Sequence, residues 1–486
     1  MITAKKLSLL GYFTLSLLLS ACSGSGGSSK GSNTQPEPDK EQPKTQISLS
    51  ANSVEFALTG LTQTLNITTT ENWSITGAEQ WLHLSKTQGS GNAEIKLTAL
   101  VNMQTASRSA NLQVSAGNNT ANLAVTQQGF EYIKTPDSTG IRDISSTEFT
   151  ELMGVGFNIG NSLDAVGGET AWGNPEINTQ LIDAIKQAGF KSIRLPVAWS
   201  QFSDPENFII KTEWLARVDE VVSYAIAQDL YVMLNIHWDG GWMQPVSDEQ
   251  DSVNNRLAIM WTQIAEYFEK YDDKLLFAGT NEVMVEGDYS TPSAEYTQVQ
   301  NSFNQTFIAA VRATGGKNAY RQLIVQGFNT NIDHTVNFVQ IPDDVIAERL
   351  MMEVHFYDPY EFALDASSDK TQWGENAVDA SKTVGWANES YIDAQFLKMQ
   401  THFYDQGIGL ILGEYGAIAR TNIEAHHVYR LAWHDYVTQS AFNHHLVPFY
   451  WDNGDTGQNG FALFNRASGE ALLPDLINAI IENDEK

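Results

Sequence analysis

The stretch LLFAGTNEV (residues 275–283) begins as a core strand and ends as something else. Five apolar or small residues lead into Thr280, Asn281 and Glu282, after which apolar character resumes. Burying a carboxylate behind a core strand is costly unless the group is paired or hydrogen-bonded. The far end of this strand is therefore expected to open on a polar site. The same texture recurs along the second part of the chain: MGVGFNIGN (153–161), KSIRLPV (191–197), YVMLNIHW (231–238), QLIVQGF (322–328), LMMEVHFY (350–357), GLILGEYG (409–416) and LVPFYWDNG (446–454). Amphipathic segments such as TEWLARVDEVVSYAIAQ and NNRLAIMWTQIAEYFEKY separate them. Continuous apolar runs suit parallel strands covered on both faces. Eight such runs alternating with helices predict an α/β fold, a closed (β/α)8 barrel. A doubly wound sheet is the competitor, but it has fewer strands, and no Gly-rich phosphate loop follows the first run.

Polar residues fall mainly at the carboxyl ends of these runs: Arg194, His237, Asn281, Glu282, His355, Tyr357, Glu414 and Trp451. Each alone is more often a packing or salt-bridge residue than a functional one. In a barrel, however, strand ends converge on one mouth, and the eight must be explained together. Glu282 and Glu414 follow the fourth and seventh runs and are expected to face each other. Glycosidic bond cleavage needs such a pair, one acid protonated to assist the leaving oxygen and one ionised to attack or to activate water. Their surroundings must hold their pKa values apart. Arg194 is placed to keep Glu414 ionised, Tyr357 to donate a hydrogen bond to it, and Asn281 to reach a sugar hydroxyl. Sugar rings stack on aromatic faces, so Trp172 and Trp242, in loops beyond the first and third strands, are expected subsite platforms. Trp386 and Asn161 are further candidates. His426-His427 and His444-His445 read as surface or packing residues, and no metal or other cofactor is expected.

The remainder of the chain has a different texture. Lys5 and Lys6 precede an apolar run that ends in LSAC (19–22) and is too short for a resident membrane helix. Cys22 is the only cysteine, so an intrachain disulfide and a Cys-rich zinc site are both excluded. A Gly, Ser, Pro and charge-rich stretch follows and reads as a flexible tether. From about residue 47 to 129 short alternating runs (SVEFAL, QTLNITT, WSITG, EIKLTAL, SANLQVSA, ANLAVTQQG) recur at the spacing of a small β-sandwich. Trp73 and Trp81 are expected to pack in it. The formal net charge of −29 argues against nucleic-acid partners, which are held by clustered Lys and Arg.

Three resemblances extend this reading. The sequence LSAC resembles a bacterial lipoprotein signal, which implies a lipid on Cys22. With Ser23 rather than Asp next, it also implies the outer membrane or cell surface. WSITG…WLHLS and VTQQG resemble the BACON module, an immunoglobulin-like spacer of carbohydrate-degrading lipoproteins. GFNIGNSLDA, ETAWGNP, IRLPVAW, NIHWDGGW, TNE, HFYDP, GEYG and YWDNG, in this order, resemble glycoside hydrolase family 5, with WGNP and HWDGGW pointing to its endo-β-1,4-glucanase and xyloglucanase subfamily. That resemblance implies Glu282 as general acid/base, Glu414 as nucleophile, and Arg194, His237, Asn281, His355, Tyr357 and Trp451 around them. It departs from the family at Val283, where Pro is common. The expected order is a signal peptide (1–21), tether (22–44), BACON-like sandwich (45–130) and catalytic barrel (137–486). The expected partner is a β-glucan, xyloglucan first, with mixed-linkage glucan or cellulose as alternatives. The membrane is met only through the lipid, and the chain is expected to be a monomer. A metal-dependent barrel hydrolase would normally show an early His-x-His pair, which is absent. A non-catalytic carbohydrate-binding lipoprotein would have no reason to keep both glutamates.

Overall fold

The computed structural model describes residues 46–423 and 425–484. The leader, the tether and Cys22 lie outside the described residues. Nine short strands come first: β1 (Ser48–Leu49), β2 (Ser53–Phe56), β3 (Leu61–Thr68), β4 (Asn72–Thr76), β5 (Leu82–Leu84), β6 (Gln88–Ser90), β7 (Ala93–Ala99), β8 (Arg108–Ala116) and β9 (Asn119–Gln127). Side chains alternate between the two faces of a strand, so a period of two covers a core on one side only. Ala110, Leu112, Val114 and Ala116 of β8 are buried in this way. The strands form two sheets, ordered β1-β3-β7-β5 and β2-β9-β8-β4-β6, around a shared core that includes Leu65, Ile95, Leu97, Leu123 and Val125. Trp73 is buried with its Nε1–H on the Gly91 carbonyl at 3.0 Å, and Trp81 carries the Arg108 guanidinium on its ring. Both rings pack, as expected. β5 and β6, at three residues each, are too short to show alternation in the sequence.

The eight apolar runs form a closed parallel barrel: β10 (Gly156–Ile159), β11 (Ser192–Leu195), β12 (Tyr231–Asn235), β13 (Leu275–Ala278), β14 (Leu323–Gln326), β15 (Leu350–Phe356), β16 (Gly409–Tyr415) and β17 (Leu446–Asp452). The helices are α1 (Ser146–Met153), α2 (Thr179–Gln187), α3 (Thr212–Ala227), α4 (Gln250–Phe268), α5 (Ala294–Ala313), α6 (Ile332–Phe338), α7 (Tyr360–Ala363), α8 (Glu389–His402), α9 (His426–Asn443) and α10 (Pro474–Ile481). α3 buries Trp214, Leu215, Val218, Val221, Val222 and Ala225, one stripe at helical spacing. Inside the barrel, Met233, Leu276, Ala278, Ile324, Met351, Ile411, Val447 and Phe449 form a floor, closed by Phe149 and Met153 of α1. α1 itself starts at a capping box in which the Ser145 side chain and Glu148 satisfy each other's backbone N–H groups. The amino-terminal end of the barrel is thus plugged with apolar groups, and the polar strand-end residues lie at the other end.

One local irregularity aims a key side chain. In β16, Leu410 and Leu412 pack outward against the helices and Ile411 inward on the floor. Strict alternation would send residue 414 outward. The β15–β16 register shifts after Val354, which pairs with Leu412, so that His355 pairs with Glu414 and Gly413 is the extra residue. The bulge turns Glu414 into the mouth and Tyr415 outward, where its hydroxyl meets Thr438 of α9 at 2.7 Å.

Candidate active site

Arg194 on β11 is fully buried at the centre of the mouth and bonded on several sides. Its Nη1 donates to Glu414 Oε1 at 2.8 Å and to Asn158 Oδ1 at 3.0 Å, and its Nη2 donates to Asn281 Oδ1 at 2.7 Å. Tyr357, just past β15, donates its hydroxyl to Glu414 Oε2 at 2.9 Å. His355 stands between the two acids. Its Nδ1 is 2.7 Å from Glu282 Oε1 and 3.6 Å from Glu414 Oε2. One oxygen of each glutamate and the His355 ring nitrogen all lie within 4.8 Å of one another. Among the described residues no other His, Cys or acidic group brings three ligand-type atoms this close, and these are already engaged with each other, with Arg194 and with Tyr357.

The two carboxyls sit in different surroundings. The Glu282 side chain is 41% exposed, whereas that of Glu414 is 6% exposed. The Glu414 carboxyl is raised above the usual range, because burial outweighs the opposing pull of the His355 and Arg194 cations. Burial alone would lower the His355 pKa, but Glu414, Glu282 and Glu353 overcome it and push the ring up to about 9. His237, buried beside Arg194 and His355, is held neutral, well below the ordinary histidine range. Its ring stacks on Trp451 with the planes 8° apart. A Cβ at Gly160 would collide with that indole, so the glycine after β10 is what leaves Trp451 room.

The structure brings Arg194, His237, Asn281, Glu282, His355, Tyr357, Glu414 and Trp451 to one mouth. Trp172 is 45% exposed, in a loop that Asn174 ties to the carbonyls of Asn161 and Asn453. Asn161 serves that loop: its N–H is on Asp164 and its backbone is left-handed. Asn158, three residues earlier, is the β10 residue that touches Arg194. Trp242 is not an open platform. Its Nε1–H is on Asp239 at 2.8 Å, and the Arg256 guanidinium covers its ring at 4.2 Å. Trp238, 51% exposed, lines a cavity of about 210 Å³ with His237, Asn281 and Glu282 instead. Trp386 packs its ring edge-on against Tyr391, which lines the cavity beside Glu282. Val283 is buried and its carbonyl accepts the Asn329 N–H at 2.9 Å, which holds the loop after Glu282. His426 is buried on the carbonyls of Thr371 and Ile418, His427 meets Asp475, His444 takes Ser440, and His445 stacks on Tyr404.

Sequence reasoning missed the layer beneath the glutamates. Asn158, Asn235, Gln326 and Glu353 are fully buried and point inward. A signal was available, since Asn235 and Glu353 precede His237 and His355 by two residues and so share their faces. Arg194 is the only cation in this layer that cannot lose its proton. Replacing it, as in Arg194→Met, leaves Glu353 and Glu414 buried without it and is expected to cost about 3–5 kcal/mol. The check is a urea midpoint that falls at unchanged slope.

A larger cavity, about 740 Å³, lies between sandwich and barrel, lined by Leu61, Thr98, Arg108, Asn254, Gln298 and Asn301 among others. It holds none of the strand-end residues. The chemistry belongs to the mouth, where two glutamates from different strands share one imidazole over an open cleft: the constellation of a barrel glycosidase.

The chain belongs to glycosyl hydrolase family 5. The cellulase model of that family matches residues 156–457, and the BACON model, a putative N-terminal binding domain, matches residues 71–128. The chain is 37% identical over 470 residues to a xyloglucan-specific endo-beta-1,4-glucanase of Bacteroides ovatus, covering 91% of this chain and 92% of that protein. A Bacteroides ovatus family 5 xyloglucanase, solved in complex with a XXXG heptasaccharide, superposes with a TM-score of 0.71 at 36% identity, over 91% of this chain and 100% of that one. A broad-specificity endoglucanase of subfamily 4 from Bacteroides salanitronis superposes with a TM-score of 0.67 at 38% identity, over 73% of this chain and 98% of that one.

Proposed function

We propose that this protein is a retaining endo-β-1,4-glucanase whose preferred substrate is xyloglucan. The observation that carries the reading is that one oxygen of Glu282 and one of Glu414 lie within 4.8 Å of each other. A retaining pair stands about 5–5.5 Å apart, whereas an inverting pair leaves about 6.5–9.5 Å for a water. Glu414, shielded and ion-paired, attacks the anomeric carbon. Glu282, at the open side of the cleft, protonates the departing oxygen. Water then cleaves the glycosyl-enzyme with Glu282 as base, and the anomeric configuration is retained. His355 Nδ1 lies 2.7 Å from Glu282 Oε1 and orients that carboxyl toward the cleft, and the proton Glu282 gives up in the first step returns from the attacking water in the second. An inverted product by NMR would reject the double displacement.

Room for a branched chain supports xyloglucan. Beside Glu282 lies a cavity of about 620 Å³ lined by Tyr289, Tyr360 and Tyr391 with Asn331, Asp333 and Gln395, a mixture of stacking faces and hydroxyl-binding groups. The Bacteroides ovatus relative is xyloglucan-specific, whereas the Bacteroides salanitronis one has broad specificity, so a general β-1,4-glucanase is the second reading. Side-by-side initial rates are expected to rank xyloglucan above mixed-linkage glucan and carboxymethyl cellulose. Equal rates would favour the broad reading, and a mannan maximum would overturn both. Separately, the resemblance of LSAC (19–22) to a lipoprotein signal is the support for proposing a lipid on Cys22 and a place on the cell envelope, and label from a palmitate analogue that fails to enter the protein in cells would reject it.

A further inference from the structure

Glu353 is fully buried on β15 and touches neither solvent nor the cleft. Its Oε1 is 3.2 Å from His355 Nε2 and 3.0 Å from Arg194 Nε. The latter contact is Coulombic, since its angle falls outside hydrogen-bond geometry. Its Oε2 accepts from Gln326 Nε2 at 2.6 Å, and the Gln326 side-chain Oε1 accepts both the N–H and the hydroxyl of Thr280, the residue before Asn281-Glu282. Gly413, the bulge residue before Glu414, lies against the same carboxylate, and a Cβ there would collide with it. One buried anion is thus joined to the partner of each catalytic glutamate and to the backbone that precedes one of them.

We propose that Glu353 is a positioning residue that keeps His355 doubly protonated and aimed at Glu282 while clamping Arg194 toward Glu414. This rests on the two-glutamate reading above. The hydrogen-bond directions require a carboxylate. Gln326 is oriented by the Thr280 N–H, so it can only offer its amide hydrogens to residue 353. Arg194 offers only donors as well. An ionised carboxylate accepts from Gln326 and His355 together while lying against the Arg194 guanidinium. An amide at 353 must turn its oxygen to Gln326 and its NH₂ to the ring, which then accepts at Nε2 and becomes neutral. Electrostatics agree: burial would raise the Glu353 pKa, but Arg194, His355 and Gln326 bring it down to about 2. The charged or titratable groups around His355 are Glu282, Glu353 and Glu414, with Arg194, His237 and Tyr357.

The test has two arms in the full chain. Nitrogen-15 NMR of the wild-type His355 ring is expected to show both nitrogens protonated at pH 7, with deprotonation only toward pH 9. Glu353→Gln is expected to leave one ring proton at pH 7. In kinetics, Glu353→Gln should lower kcat about 10- to 100-fold with KM within about threefold, and should move the alkaline limb of the pH profile down by at least about one unit. The direction follows because losing the anion lowers the pH at which the ring proton is lost. Glu353→Asp keeps the charge and should keep that limb near its wild-type position. Equal limbs in the Gln and Asp variants would overturn the proposal. A wild-type ring that titrates near 6.5 would do so too, even if Glu353→Gln failed to fold. The NMR arm does not depend on turnover, so it can fail while the two-glutamate mechanism stands, and the reverse.

Discussion

Glu414→Gly is expected to lose about 10⁵-fold or more in turnover on a natural β-glucan, because removing a covalent nucleophile abolishes the two-step path itself. The glycine leaves space where the carboxylate stood, bordered by Arg194 Nη1 and the Tyr357 hydroxyl, both of which formerly donated to it. A small anion fits that space electrostatically. With azide and a cellobioside bearing an activated aryl leaving group, the variant is expected to recover turnover and to form an α-glycosyl azide, one inversion replacing two. A β-glycosyl azide, or wild-type turnover without azide, would remove Glu414 from the nucleophile's role.

Glu282→Ala is expected to separate the two half-reactions. Proton donation matters most for poor leaving groups, so hydrolysis of the polysaccharide should fall about 10²- to 10⁴-fold. An activated aryl cellobioside needs little protonation, so its first step should survive. The glycosyl-enzyme then accumulates because no base activates water, and a burst followed by a slow steady state is expected. Azide, which needs no base, should restore turnover with a β-glycosyl azide. The stereochemistry of the two azide products therefore assigns the glutamates independently of how far each rate falls. Glu282 is the more exposed carboxyl and borders the larger cleft cavity, so its loss is expected to perturb the fold little.

Much of this architecture was readable beforehand, for a local reason. The apolar run from Leu275 to Ala278 and its seven counterparts announced buried strands, and every one of them contains a barrel strand. The strands stop earlier than the runs: β13 ends at Ala278, so Asn281 and Glu282 stand in the following turn. Apolarity marks burial, and burial continues past the last ladder hydrogen bond into the mouth. The choice between Trp238 and Trp242 was not readable. Both flank the Gly240-Gly241 turn, and only the Arg256 side chain of α4, arriving over one indole, decides which ring stays open.

By itself the sequence determined the succession of a sandwich and an eight-stranded barrel, and the identities of the polar groups at the strand ends. Periodicity and burial are properties of neighbouring residues, and they survive in a linear reading. Tertiary structure alone decided what those groups are to one another. Arg194 and Glu414 are 220 positions apart and meet at 2.8 Å. The inward turn of Glu414 depends on a bulge measured against β15, since alternation along β16 alone points it outward. The work of Glu353 depends on partners from three other strands or strand ends. Charge and hydrogen-bond energies act through distances of a few ångströms, and only barrel closure brings residues so far apart in the chain within that range.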